Sequence, residues 1–139
     1  MTDSIERAVF AWLQGCPAAR ALFSAVGRAE PSGAVFVPEG DAAVCRFLRG
    51  TERQFRFSLK RFELFMESPN EDANLVAFER ARAVGAWIEE QDAAGNLPRL
   101  PAGCSVTGLT VEGVTGADFN NGRCACVTLD VLIDYFKEE

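Results

Sequence analysis

The clearest pattern in the chain is a strict alternation from Arg53 to Phe62, with Phe55, Phe57 and Leu59 on one side and Gln54, Arg56, Ser58 and Lys60 on the other. Period two with one apolar face predicts a half-buried antiparallel strand. A longer alternation closes the sequence: in Arg123 to Phe136, Ala125, Val127, Leu129, Val131, Ile133 and Tyr135 oppose Cys126, Thr128, Asp130 and Asp134, with Leu132 out of step. Cys104 to Val111 reads as a further strand, and the Gly-, Asn- and Asp-rich stretch Gly113 to Gly122 as a loop. Ahead of Arg53, Ala34 to Val37 and Ala43 to Leu48 read as two short strands. Pro38-Glu39-Gly40-Asp41 separates them, and Gly50-Thr51 turns the chain into the next strand.

Two segments follow the helical period instead. Ile5, Ala8, Val9, Trp12 and Leu13 share one face behind a cap at Asp3 or Ser4, and Gly15 with Pro17 ends that helix. The second is longer and fully punctuated. Ser68 caps it, Pro69 takes the first turn and Glu71 closes a capping box; Ala77, Phe78, Ala81, Val84, Gly85 and Ile88 form its apolar stripe. Gly95 and Asn96 supply a left-handed stop, and Pro98 and Pro101 hold the exit extended. In Ala18 to Val26, Leu22, Phe23 and Val26 fit helical spacing, but the segment is too short and Ala-rich to insist on a helix and is left open.

These elements, in the order α-β-β-β-α-β-β, predict an α+β fold. Its sheet is mostly antiparallel, with four to five strands and two main helices packed on one face. The 139 residues fit one domain, 1–139, with a real core.

Composition narrows the function. A net charge of -6 argues against a general nucleic-acid binder, which needs a basic surface to release counterions. The N-terminus has no basic-then-apolar signal pattern and no window approaches a membrane span, so a soluble, unexported protein without membrane contact is expected. Five cysteines, Cys16, Cys45, Cys104, Cys124 and Cys126, are then expected as reduced thiols, and the Cys124-x-Cys126 pair lacks the second ligand pair of a metal site. The chain contains no histidine, which removes Ser-His-Asp and Cys-His chemistry and the commonest metal ligand. No catalytic residue, cofactor or metal is expected.

Charge is unevenly distributed. Of fourteen Lys and Arg residues, Arg46, Arg49, Arg53, Arg56, Lys60 and Arg61 fall between positions 46 and 61, where Glu52 is the lone acid. Acids gather on the long helix, Glu89 and Glu90 among them, and at the C-terminal end. Neighbouring helical positions diverge by about 100°, so Glu89 and Glu90 cannot serve one substrate atom as a carboxylate pair. The basic run admits three readings: a solvated face, a protein interface or a nucleic-acid surface. The last would want aromatic platforms among the bases, and alternation sends Phe55 and Phe57 to the opposite side. Separate basic and acidic surfaces suit head-to-tail contact between copies, against the plainer reading of ordinary surface decoration.

Several stretches resemble a known family: Cys16-Pro17, Gly27 to Pro31, Val35-Phe36-Val37-Pro38, Arg53 to Phe57, and above all Trp87 to Pro101 with its WIEEQ and GNLPRLP. They are similar to small prophage proteins of Gram-positive hosts, described as minor capsid or tail-terminator-like proteins. The resemblance implies a ring-forming, tail-terminator-like domain, a hexamer in the expected form, at the head-proximal end of a siphophage tail tube. It would contact tail-tube and head-tail connector proteins, and would reside in the virion and, during assembly, in the host cytoplasm. Such proteins sometimes carry a chloramphenicol-resistance label; that acetyltransferase chemistry depends on a histidine this chain lacks. The competing expectation is a small-ligand-binding or enzymatic α+β domain. Its pocket would lie between helices and sheet, lined by Trp12, Trp87, Phe47, Phe55, Phe57, Phe62 and Phe65.

Overall fold

The computed structural model describes residues 4–16, 25–26, 34–64, 71–119 and 124–138. Among these residues seven elements follow one another: α1 (Ile5–Leu13), β1 (Ala25–Val26), β2 (Ala34–Phe47), β3 (Gly50–Leu64), α2 (Glu71–Ala94), β4 (Cys104–Phe119) and β5 (Cys124–Glu138). The strands form one sheet in the order β1-β2-β3-β5-β4, antiparallel throughout except for the short parallel pairing of β1 with β2.

Local chemistry explains the helix ends. Ser4 starts α1 by accepting a hydrogen bond from the Arg7 amide at 3.2 Å, which satisfies one of the donors a helix start leaves open. The expected box around Ser68 and Pro69 lies outside the described residues. At the other end of α2, Gly95 takes φ 79°, the Asn96 amide reaches back to the Gln91 carbonyl at 2.9 Å and the Gly95 amide to the Asp92 carbonyl at 3.2 Å. This is the paired closure of a Schellman stop, which glycine permits because it has no Cβ to clash. The Trp12 indole then donates to the Asn96 carbonyl at 2.8 Å, and its ring lies 5.1 Å from that of Trp87, so the exit of α2 is pinned to α1.

The core lies between both helices and a single face of the sheet. Ile5, Val9 and Leu13 of α1 and Val84 and Ile88 of α2 meet Phe36 of β2, Phe55, Phe57 and Leu59 of β3, and Leu129, Val131, Ile133 and Tyr135 of β5. Register makes the alternations agree: Phe55 opposes Ile133, Phe57 opposes Val131, and Leu59 opposes both Leu129 and Phe36. Gly85 sits where helix and sheet come close together. A Cβ there would stand 3.3 Å from Val111 Cγ1 and 3.5 Å from Leu129 Cδ1, so what interrupts the helical propensity is what lets α2 lie flat on β4 and β5.

Three expectations need correction. The strands expected at 34–37 and 43–48 are one strand, β2, and the residues between them are paired: Pro38 opposes Phe57, Gly40 opposes Arg56, and Glu39 bulges out between them. Proline is tolerated on an edge strand beside a bulge, which is the position Pro38 occupies. The first of the three strands before α2 is therefore Ala25–Val26, at the end of the stretch left open for its helical spacing. The turn is Leu48-Arg49, while Gly50 and Thr51 already belong to β3. Gly50 serves close packing: a Cβ would collide with the Lys137 carbonyl and with the Phe136 ring. Lastly, β4 runs on through most of the expected loop to Phe119, with Glu112 bulged out beside Gly113 at φ 151°. Gly116 leaves space for Phe78 of α2, whose ring would lie 2.7 Å from an added Cβ.

Candidate protein interface

Pairing and alternation distribute the six basic residues over different surfaces. Arg53 lies on the helix-side parity of β3, opposite Tyr135 and one step beyond Phe55. Its Nε donates to the Tyr135 hydroxyl at 3.1 Å and to Asp41 Oδ1 at 3.3 Å, and the Tyr135 hydroxyl donates to the same Asp41 oxygen at 2.6 Å. This clasp joins β2, β3 and β5 at the margin of the core. Burial, then the bond to Asp41, pushes the Tyr135 phenol up to about 12, and the hydroxyl bond holds Arg53 above its ordinary value.

Arg56 and Lys60 take the opposite face. Arg56 Nη1 reaches Glu112 Oε1 of β4 at 2.8 Å across the intervening β5. Between them Ser58 is fully buried, its hydroxyl held by Glu39 of the β2 bulge and, at 2.6 Å, by Asp130 of β5. The face that is basic along β3 alone is thus mixed once its neighbours stand beside it, a contribution of Glu112 and Asp130 that a strand-by-strand reading missed. Arg61 pairs through its backbone with Ala34 and Val127.

Arg46 and Arg49 remain, on the uncovered corner made by the end of β2 and its turn. Every residue from Glu39 to Arg49 is exposed. Three large apolar side chains stand among them: Val44 is 57% exposed, Phe47 54% and Leu48 101%. Phe47 has ring contact with Phe136 at a centroid distance of 6.3 Å. Among the described residues the side of β2 away from β3 has no strand beside it beyond Phe36, so this stretch is also an open sheet edge. The spacing of hydrophobic residues alone could have flagged it, since Val44, Phe47 and Leu48 fit no alternation shared with a partner strand. Glu89 and Glu90 lie on the exposed side of α2, and no ion pair among the described residues joins them to the basic positions.

The expected aromatic pocket does not form from the side chains named for it. Phe55 and Phe57 are sealed in the core and Phe47 faces water; Phe62 and Phe65 lie outside the described side chains. A cleft of about 710 Å³ instead opens beside α1, lined by Arg7, Phe10, Trp12, Phe36, Leu97 and Arg99 among others. No helix among the described residues is long and apolar enough to cross a membrane, and no group of three or more metal-ligating side chains occurs among them. Cys16, Cys45 and Cys104 are free thiols.

No protein-family model and no curated relative matches this sequence. A solved structure does match in fold: a chain in the virion of a native gene transfer agent (GTA) particle, with a TM-score of 0.57 and 16% identity, over 96% of this chain and 95% of that one. The fold is one that a virion particle contains. Because the overlap takes in nearly all of both chains, the two share a whole α+β architecture and not an isolated motif. At that identity the likeness carries the fold and no residue's role.

Proposed function

We propose that this chain is a structural protein of a phage or phage-like virion. Within that class we assign it to the tail-terminator or minor capsid proteins of the head-tail joint, acting as a ring, six copies in the simplest form, that touches tail-tube and connector proteins. The observation that carries this reading is the whole-chain fold likeness to a component of a gene transfer agent virion. The resemblance of Trp87 to Pro101 to tail-terminator-like prophage proteins supports the finer assignment, and the lack of histidine supports action by contact and not by catalysis. The protein would be made and assembled in the host cytoplasm and end in the virion.

The test is the mass of the purified protein in solution, alone and mixed with the tail-tube protein of the same particle. A closed oligomer that binds tube ends is the expected result. A protein that stays monomeric and never touches tube subunits overturns the reading. The cleft beside α1 favours one second reading, a small-ligand-binding or enzymatic domain, because aromatic walls and two guanidinium groups suit an anionic ring compound. A compound that binds the folded form there would raise the melting temperature, and Trp12→Ala would remove that rise.

A further inference from the structure

The uncovered corner and the C-terminal end of α2 are each unfavourable when left in water, and they are so in complementary ways. At the corner, Val44, Phe47 and Leu48 stand exposed beside Arg46 and Arg49, with no acid between residues 42 and 49. Exposed apolar side chains clustered within a few residues and flanked by charge mark contact surfaces more often than solvated ones. On α2, Glu89, Glu90 and Asp92 are all exposed and all fall in its final six residues, while its last turn carries no basic residue. The carbonyl end of a helix bears partial negative charge, so acids there work against the helix. Among the described residues no ion pair within one copy offsets them, and a cation brought from outside relieves both the acids and the helix end.

Among the described residues of one copy the two surfaces are not joined. The corner belongs to β2 and the β2–β3 turn, whereas α2 lies over β3, β5 and β4, and among the described residues neither Arg46 nor Arg49 has an ion pair. We propose that the partner of this corner is a second copy of the chain: Leu48 and Phe47 pack beside the end of α2 on the next subunit, with Arg46 and Arg49 facing its Glu89, Glu90 and Asp92. Unlike patches meeting head to tail generate a ring when the rotation closes. The inference rests on the ring reading above and names the surfaces that make the ring.

The test uses the full chain. Arg46→Glu with Arg49→Glu, and separately Glu89→Arg with Glu90→Arg, should each weaken self-association at least tenfold by light scattering, with circular dichroism unchanged. All four substitutions in one chain should restore the oligomer, because the pairing is merely reversed. Cys45 offers a second readout, since it is an exposed thiol on the corner. Oxidised Glu90→Cys protein should form chains linked from Cys45 of one copy to position 90 of the next, and adding Cys45→Ser should abolish them. An oligomer that survives both charge reversals, or a corner that binds only tail-tube protein, overturns the inference and leaves the ring reading standing. Wild-type protein that does not self-associate even with tube protein present overturns both.

Discussion

Where β2 and β3 run beneath the helices, Phe36, Phe57 and Leu59 are sealed against Val9, Leu13 and Ile88; further along the same hairpin, Val44, Phe47 and Leu48 stand in water. Nothing in the hydrophobicity of the two groups distinguishes them. The difference is cover, because among the described residues the core side of the sheet has two helices above it and the corner has none. Burying an aromatic or aliphatic side chain fully is worth about 1.5–3 kcal/mol, which the covered half gains within one copy and the corner does not. The lesson is that one hairpin can be stabilised at one end by its own chain while its other end keeps apolar surface free for a partner.

The most forceful way to test that contrast is truncation at matched residues. Phe57→Ala should cost about 3–5 kcal/mol in urea unfolding and Phe47→Ala far less; equal costs would mean that the corner packs in the monomer after all. Overfilling the covered half comes next. Gly85→Leu should cost about 1–3 kcal/mol, because the new side chain must displace Val111 and Leu129, and a neutral result would show that α2 does not lie where it is described. At the boundary between the halves, Tyr135→Phe removes the clasp to Asp41 and Arg53 and should cost about 1 kcal/mol near neutral pH.

The clasp also has a pH signature. The Tyr135 phenol is held above its ordinary value of about 10, so the folded state keeps a proton that the unfolded chain releases. Its contribution is whole below about pH 10 and is lost as the pH rises towards about 12. Wild type should therefore lose stability through that interval more steeply than Tyr135→Phe, and parallel curves would remove the clasp from the account. The smallest effect belongs to the corner: Leu48→Asp should shift folding stability by no more than about 0.5 kcal/mol, so any loss of assembly it causes is a loss of contact.

Much of the covered half was legible in the sequence. The alternations of Phe55, Phe57 and Leu59 and of Val127 to Tyr135 name the core face, and Gly95 with Asn96 names the end of α2. The errors share a cause. Pro38, Gly40, Gly113 and Gly116 read as turns because those residues punctuate turns. Here Pro38 and Gly40 flank a bulge on an open edge, Gly113 adjoins another, and Gly116 makes room for Phe78. The basic cluster failed differently. Its members are contiguous in sequence, yet alternation and the acids of β4 and β5 divide them, and no single strand reveals what its neighbours contribute.

The strands flanking the inner pair each carry two bulges, at Glu39 and Val44 in β2 and at Thr107 and Glu112 in β4, while β3 and β5 pair with each other without interruption. An inserted residue bends its strand and tightens the local twist. The rims of this sheet are therefore curved, and a curved rim cannot be copied outward as an endless flat ladder. Bent edges of this kind disfavour growth into a fibre by strand addition. Under the proposed corner contact, copies would meet through side chains instead, in a number that geometry limits.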